Sequence, residues 1–229
     1  MKFLRFFFLV PFIACANAKE TNVKQFTLDS KYAVQATCEK GIKLNLLKSG
    51  KTVFSLRPED GACGEGEGYD ASISFDENLY GSGKKGVRIA PAQIMTTTSE
   101  TIYVVDTINT KIIMAGSLPI IAEYQGDGTI LHEALDAYSK FRVVYQFLDN
   151  KIIQLKATSL YFNGNICIQK SNHSDIYNSV SASCSDGIVA TQDSPVCVSR
   201  IKQNPPEIIP LEKCEIKKED VSTLQDSYQ

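Results

Sequence analysis

The chain repeatedly sets two short runs of β-branched, aromatic and aliphatic residues on either side of a very short turn. That pairing confines it to antiparallel β structure. In FRVVYQFLDNKIIQLKA, Phe141–Leu148 and Lys151–Ala157 flank Asp149-Asn150. Ile42–Leu47 and Thr52–Leu56 flank Lys48-Ser49-Gly50-Lys51, and Thr101–Asp106 and Lys111–Met114 flank Thr107-Ile108-Asn109-Thr110. Leu160–Phe162 and Ile166–Ile168 surround Asn163-Gly164-Asn165. Asn, Asp and Gly tolerate the left-handed backbone that tight hairpin turns need, and the flanking runs suit a pleated surface. Phe26–Leu28, Tyr32–Cys38 and Ala71–Phe75 read as further strands. One stretch departs from the pattern: in ILHEALDAYS, Ile130, Leu131, Ala134, Leu135 and Tyr138 fall on one side at helical spacing, which predicts a short helix over Ile130–Ser139. The expected fold is mainly β: one antiparallel β-sandwich or barrel-like domain over 19–160, one short helix, a disulfide-rich β extension over 161–214, and a mobile tail over 215–229.

The first residues predict export. Lys2 and Arg5 precede the apolar run Phe3–Ala14, and Ala16-Asn17-Ala18 offers small residues for cleavage after Ala18, so 1–18 reads as a signal peptide. The rival reading is a lipid anchor on Cys15. Removing Lys2 and Arg5 takes Lys+Arg from 24 to 22 against 26 acidic residues, a net charge of about −4, which does not fit a nucleic-acid binder. No other segment is apolar and long enough to span a membrane. Six cysteines then remain: Cys38, Cys63, Cys167, Cys184, Cys197 and Cys214. In an exported chain an even set with no C-x-x-C spacing reads as a disulfide framework, with Cys38–Cys63 in the N-terminal half and two bridges among the last four.

Catalytic and ligand-binding motifs fail on spacing. GSGKKG (81–86) invites a phosphate cradle, but a P-loop would need Gly where Asn78 stands and Ser or Thr where Lys85 stands. The acidic, Gly-rich stretch 59–77 offers Asp70 and Asp76 as calcium candidates, yet it lacks the D-x-D-x-D-G register. His132-Glu133-Ala134-Leu135-Asp136 resembles half a zinc-protease helix with Asp in place of the second His. The chain has two histidines, no Gly-x-Ser-x-Gly and no Trp, which argues against a Ser-His-Asp site and against a sugar-stacking platform. No cofactor is expected. The 26 acidic residues include many carboxylate pairs, and none is marked for glycoside cleavage.

What remains is recognition of another protein through loops. A Gly-rich turn lets the backbone approach a concave surface closely, and an ammonium set between two carboxylates blocks their acid/base work. Ser82, Lys84 and Lys85 are the candidate partner-binding residues. SGKK within 81–86 resembles the Ser-Gly-x-x-Tyr loop of periplasmic lysozyme inhibitors, with Gly86 where Tyr would stand. TIYVVDTINTKIIMAGSLP (101–119) followed by FRVVYQFLDNKIIQLKA (141–157) resembles the paired hairpins of exported β immunity proteins of the lysozyme-inhibitor-like group. That resemblance implies a periplasmic protein, not an enzyme, whose partner is a secreted peptidoglycan hydrolase plugged by loops in its cleft. Relatives in that group often carry a calcium-type loop, and YDASISFDENLYG occupies the corresponding region without the clean acidic run. An envelope module contacting peptidoglycan, polysaccharide or an assembly partner is the alternative, and a hydrolase with an unmarked carboxylate pair is the third reading.

Overall fold

The computed structural model describes residues 22–38, 41–58, 72–91, 99–136, 138–166, 187–202 and 204–216. The segment read as a signal peptide, Cys15, Cys63, Asp70, Cys167 and Cys184 lie outside them. The fold is mainly β and its sheets are antiparallel. Three meanders follow one another along the chain. The first is β1 (Asn22–Thr27), β2 (Tyr32–Cys38), β3 (Ile42–Lys48) and β4 (Lys51–Leu56). The second is β5 (Ser72–Asp76), β6 (Gly86–Ala90), β7 (Ser99–Asp106) and β8 (Lys111–Pro119). The third runs β9 (Glu123–Tyr124), β10 (Thr129–Leu135), β11 (Ser139–Leu148) and β12 (Lys151–Tyr161). Beyond a small pair, β13 (Gly164–Ile166) with β14 (Ile188–Ala190), the chain returns to the third sheet as β15 (Val196–Ile201) on β12 and β16 (Glu207–Ile209) on β15.

The turns form as their residues dictate. Ser49 and Gly50 (φ 49° and 77°) and Asp149 and Asn150 (φ 51° and 62°) are all left-handed, which gives the two-residue turn whose twist matches that of the flanking strands.

Strand β7 shows how the sheets are layered. Tyr103 and Val105 face the first sheet, in a core with Val34, Leu44, Leu46, Val87 and Ile89. Ile102 and Val104 point the other way, into a core with Leu79 of the β5–β6 loop, Leu118 of β8 and, from the third sheet, Ile130, flanked by Phe147 and Ile152. The second sheet is therefore apolar on both faces, which is why IYVV reads as a continuous apolar run instead of an alternation. Each fully buried aliphatic in these layers contributes about 1.5–3 kcal/mol.

The helix expected over Ile130–Ser139 is instead a strand and a turn. Ile130, His132 and Ala134 alternate inward along β10, which pairs with β11 from Thr129↔Gln146 to Leu135↔Lys140. Asp136 closes the hairpin by accepting the N–H groups of Tyr138 and Ser139 at 2.7 Å each. Only Ile130 and Ala134 satisfy both periods; pairing with β11 overrides the helix propensity of His-Glu-Ala-Leu and turns Leu135 outward.

The C-terminal segment is built into the third sheet, since β15 pairs with β12 from Lys156↔Ile201 to Tyr161↔Val196. A disulfide joins Cys197 to Cys214 across 17 positions, and Cys38 is also disulfide-bonded. Next to the first bridge, Ile216 is buried against Leu160 and Cys197, and Glu215 pairs with Lys156 at 2.7 Å. Disulfides fit an oxidising compartment. Among the described residues no helix is long and apolar enough to cross a membrane.

Candidate functional site

The loop between β5 and β6 carries the predicted partner-binding residues, and its own polar groups hold it in shape. Asp76 Oδ1 accepts the Asn78 N–H at 2.9 Å, and Asn78 Oδ1 accepts the Gly83 N–H at 2.6 Å. The Ser82 hydroxyl donates to the Leu79 carbonyl at 2.6 Å and accepts the Lys84 N–H at 3.2 Å. The Leu79 N–H donates back to the Lys84 carbonyl at 2.8 Å. Asp76, read as a calcium candidate, braces this turn through that bond. Among the described residues no three His, Cys, Asp or Glu side chains converge.

An inward anchor lies beneath the loop. Leu79 and Tyr80 are buried, and Tyr80 takes the left-handed conformation (φ 49°, ψ 40°) that turns the chain outward into Gly81 and Ser82. Its ring stands 6.3 Å from Tyr124 and 6.1 Å from Phe147, with the Arg88 guanidinium 5.8 Å from its centre. Arg88 binds one Glu100 carboxylate oxygen through Nε at 2.9 Å and through Nη2. Burial pushes the Tyr80 phenol up to about 12, and among the described residues its hydroxyl has no hydrogen-bond partner. At Gly81 (φ +70°) the left-handed turn favours glycine, and a Cβ would also push aside the outer end of the exposed Tyr124 ring at 3.0 Å.

The two lysines have different environments. The Lys85 ammonium donates to the Leu28 carbonyl at 2.5 Å and lies near Asp29. Asp29 is held below the usual carboxylate range chiefly by the N–H groups of Lys31 and Tyr32, with a smaller contribution from Lys85. Lys84 is exposed, and among the described residues its ammonium has no hydrogen bond or ion pair. Ser82 braces the backbone.

The two lysines, but not Ser82, border a cleft of about 220 Å³, lined also by Asp29, Asp106, Ile108 and Asn150 among others. Asp106 is kept below its ordinary range, first by the Asn109 side-chain amide at 2.8 Å and then by the Asn109 N–H at 2.9 Å. The cleft brings the β1–β2, β5–β6, β7–β8 and β11–β12 turns to one end of the molecule, and a bond from the Ser49 N–H to the Lys31 carbonyl adds the β3–β4 turn. His132 lies elsewhere, buried beside Phe141 at 5.3 Å, while Glu133 points away from it toward Arg142.

Sequence reasoning did not single out Ile108, whose side chain is 91% exposed at the β7–β8 tip. The available signal was an apolar residue standing inside a four-residue turn. It also passed over Tyr80, Arg88 and Glu100, which are distant in sequence and carry no motif. No protein-family model, no curated protein and no solved structure matches this chain.

Proposed function

We propose that this chain is a periplasmic binding protein that neutralises a peptidoglycan-cleaving enzyme, as an immunity protein or lysozyme inhibitor, and that Lys84 is the group it presents to the catalytic carboxylates. The observation that carries this reading is the pairing of a self-bonded, Gly-rich loop with an exposed ammonium at its tip that has no partner among the described residues. A rigid loop loses little conformational freedom on docking, so its charge can be placed without a large ordering cost. Glycosidases of this kind need one carboxyl protonated as the acid and one ionised. An ammonium between the two stabilises the ionised form of both, which removes the proton donor while the loop fills the cleft. Lys85 supports the loop from below through Leu28.

The test is a turbidity assay on purified cell walls with peptidoglycan hydrolases recovered by the oxidised mature chain. Wild type inhibits, Lys85→Met retains most of the inhibition, and Lys84→Ala weakens it by about 10- to 100-fold, the range for losing one hydrogen bond to a charged group. Equal inhibition by Lys84→Ala, or no hydrolase bound by wild type, overturns the reading.

A further inference from the structure

We propose that Ile108 is a second anchor of the same interface, an apolar knob that enters a pocket beside the carboxylates met by Lys84. The inference deepens the inhibitor reading by describing the partner surface: an acidic cleft with an apolar pocket on its rim.

Single exposed apolar side chains are ordinary on protein surfaces, so exposure alone says little. Three features set Ile108 apart. At 91% exposure it stands clear of every other large apolar side chain among the described residues, the next being Val189 at 60%. It is also held in place: Asp106 fixes Asn109 through both its backbone N–H and its side-chain amide, and left-handed Thr110 (φ 53°) closes the turn. Last, it lines the cleft that Lys84 also lines, so the knob and the ammonium face the same approaching surface. Binding energy concentrates where a side chain fills a well-packed, desolvated pocket near the centre of an interface, and an apolar knob on a braced turn is shaped to do so.

The surrounding charge agrees with an acidic partner. Exposed lysines stand at or beside all five turns gathered at this end: Lys31, Lys48 and Lys51, Lys84, Lys111, and Lys151. Lysines outnumber carboxylates there although the chain as a whole carries a net charge of −2. Of the carboxylates, Asp29, Asp76 and Asp106 are turned onto N–H groups of their own loops. Charge of this kind sets the approach and orientation of a partner more than its final affinity.

The experiment uses the full mature chain, oxidised, with a benzophenone amino acid at position 108, at position 84, or at position 189 as a control. Each is irradiated in envelope and soluble extracts of the source cells. The expected result is one partner protein joined from 108 and from 84 and not from 189. Ile108→Asp should bind that partner at least about tenfold more weakly than wild type. Ile108→Val should lose about fourfold, the loss for one methylene removed from an apolar contact, and so less than Ile108→Asp. No adduct from 108, an equal adduct from 189, or cross-linking to a second copy of this chain overturns the proposal. If the joined protein is not a peptidoglycan hydrolase but Ile108→Asp releases it, the inhibitor reading fails and the interface stands. If a hydrolase is bound equally by Ile108→Asp, the interface fails and the inhibitor reading stands.

Discussion

Two glycines three residues apart in the candidate loop should respond very differently to the same added methyl group. Gly86 begins β6 opposite Val104, with no positive φ. Alanine can adopt that backbone, so the cost is steric. A Cβ there would lie 2.6 Å from the Tyr103 carbonyl oxygen and 2.9 Å from Leu79 Cγ. The carbonyl belongs to the doubly buried strand β7 and Leu79 is fully buried, so neither can give way cheaply. Overpacking of this kind costs roughly 3 kcal/mol or more, at the upper end of its usual range. At Gly83 a Cβ meets nothing within 4 Å, and the only obstacle is φ +73°. That conformation costs about 1 kcal/mol for alanine. For a chain of this size 1 kcal/mol shifts the melting temperature by about 2–4 °C. Gly83→Ala should therefore melt about 2–4 °C below wild type, and Gly86→Ala about 6–12 °C below it or lower. Thermal melts followed by circular dichroism, with urea midpoints at unchanged slope as the second measure, give both values on the oxidised protein. A Gly86→Ala protein melting within about 2 °C of wild type would refute the packing argument. So would a reversed order of the two variants, since φ strain would then outweigh contact with the second sheet.

The other predictions concern the unpartnered buried groups. Burial pushes His132 below its ordinary value, so the neutral imidazole is the form the fold accepts. A depressed folded pKa means stability is whole above about pH 6.5, the unfolded value, and is lost as pH falls toward the folded one. Urea midpoints should fall between pH 7.5 and 5 in wild type and stay flat in His132→Phe. Asp29, Asp106 and Asp127, also depressed, should act only near and below pH 4. A wild-type midpoint that is level across that upper window would remove His132 as its cause. The Tyr80 hydroxyl is buried with no partner among the described residues, so Tyr80→Phe should leave stability unchanged or raise it by up to about 1 kcal/mol. A loss larger than that would mean the hydroxyl is bonded in solution.

The elements legible in the sequence were those with a local cause. Asp149-Asn150 and Ser49-Gly50 announced hairpins because few residue pairs accept two successive left-handed conformations, and the structure has both turns in that form. The even cysteine set pointed to a framework, of which the Cys197–Cys214 bridge is present. Ile130–Ser139 misled because Ile130 and Ala134 fall inward in a helix and in a strand alike, while the strand turns Leu135 and Tyr138 out and buries His132 in their place. What decides between them is β11, whose pairing is not a property of the segment itself. The stacking of three meanders was likewise invisible. It depends on which face of each sheet meets which neighbour, and only the continuous apolar run of β7 hinted that one sheet is covered twice.

The separation of Lys84 from Lys85 was closer to legible than it first looks. Val87 and Ile89 face the first sheet's core, where Leu28 also lies, while Arg88 between them faces Tyr80 and Glu100. Lys85 shares the parity of Val87 and Ile89, so the strand directs its side chain toward Leu28, and that carbonyl receives its ammonium. Lys84 falls on the other side of the chain, just after the left-handed turn at Gly83 and before the strand begins, so neither sheet claims it. Given only the start of β6 at Gly86, alternation would have assigned one lysine to the body and left the other at the tip. Adjacent like charges at a strand entrance are in this sense not equivalent: Lys85 ties the loop to the layer beneath it, and Lys84 is left exposed at the tip of the loop so held.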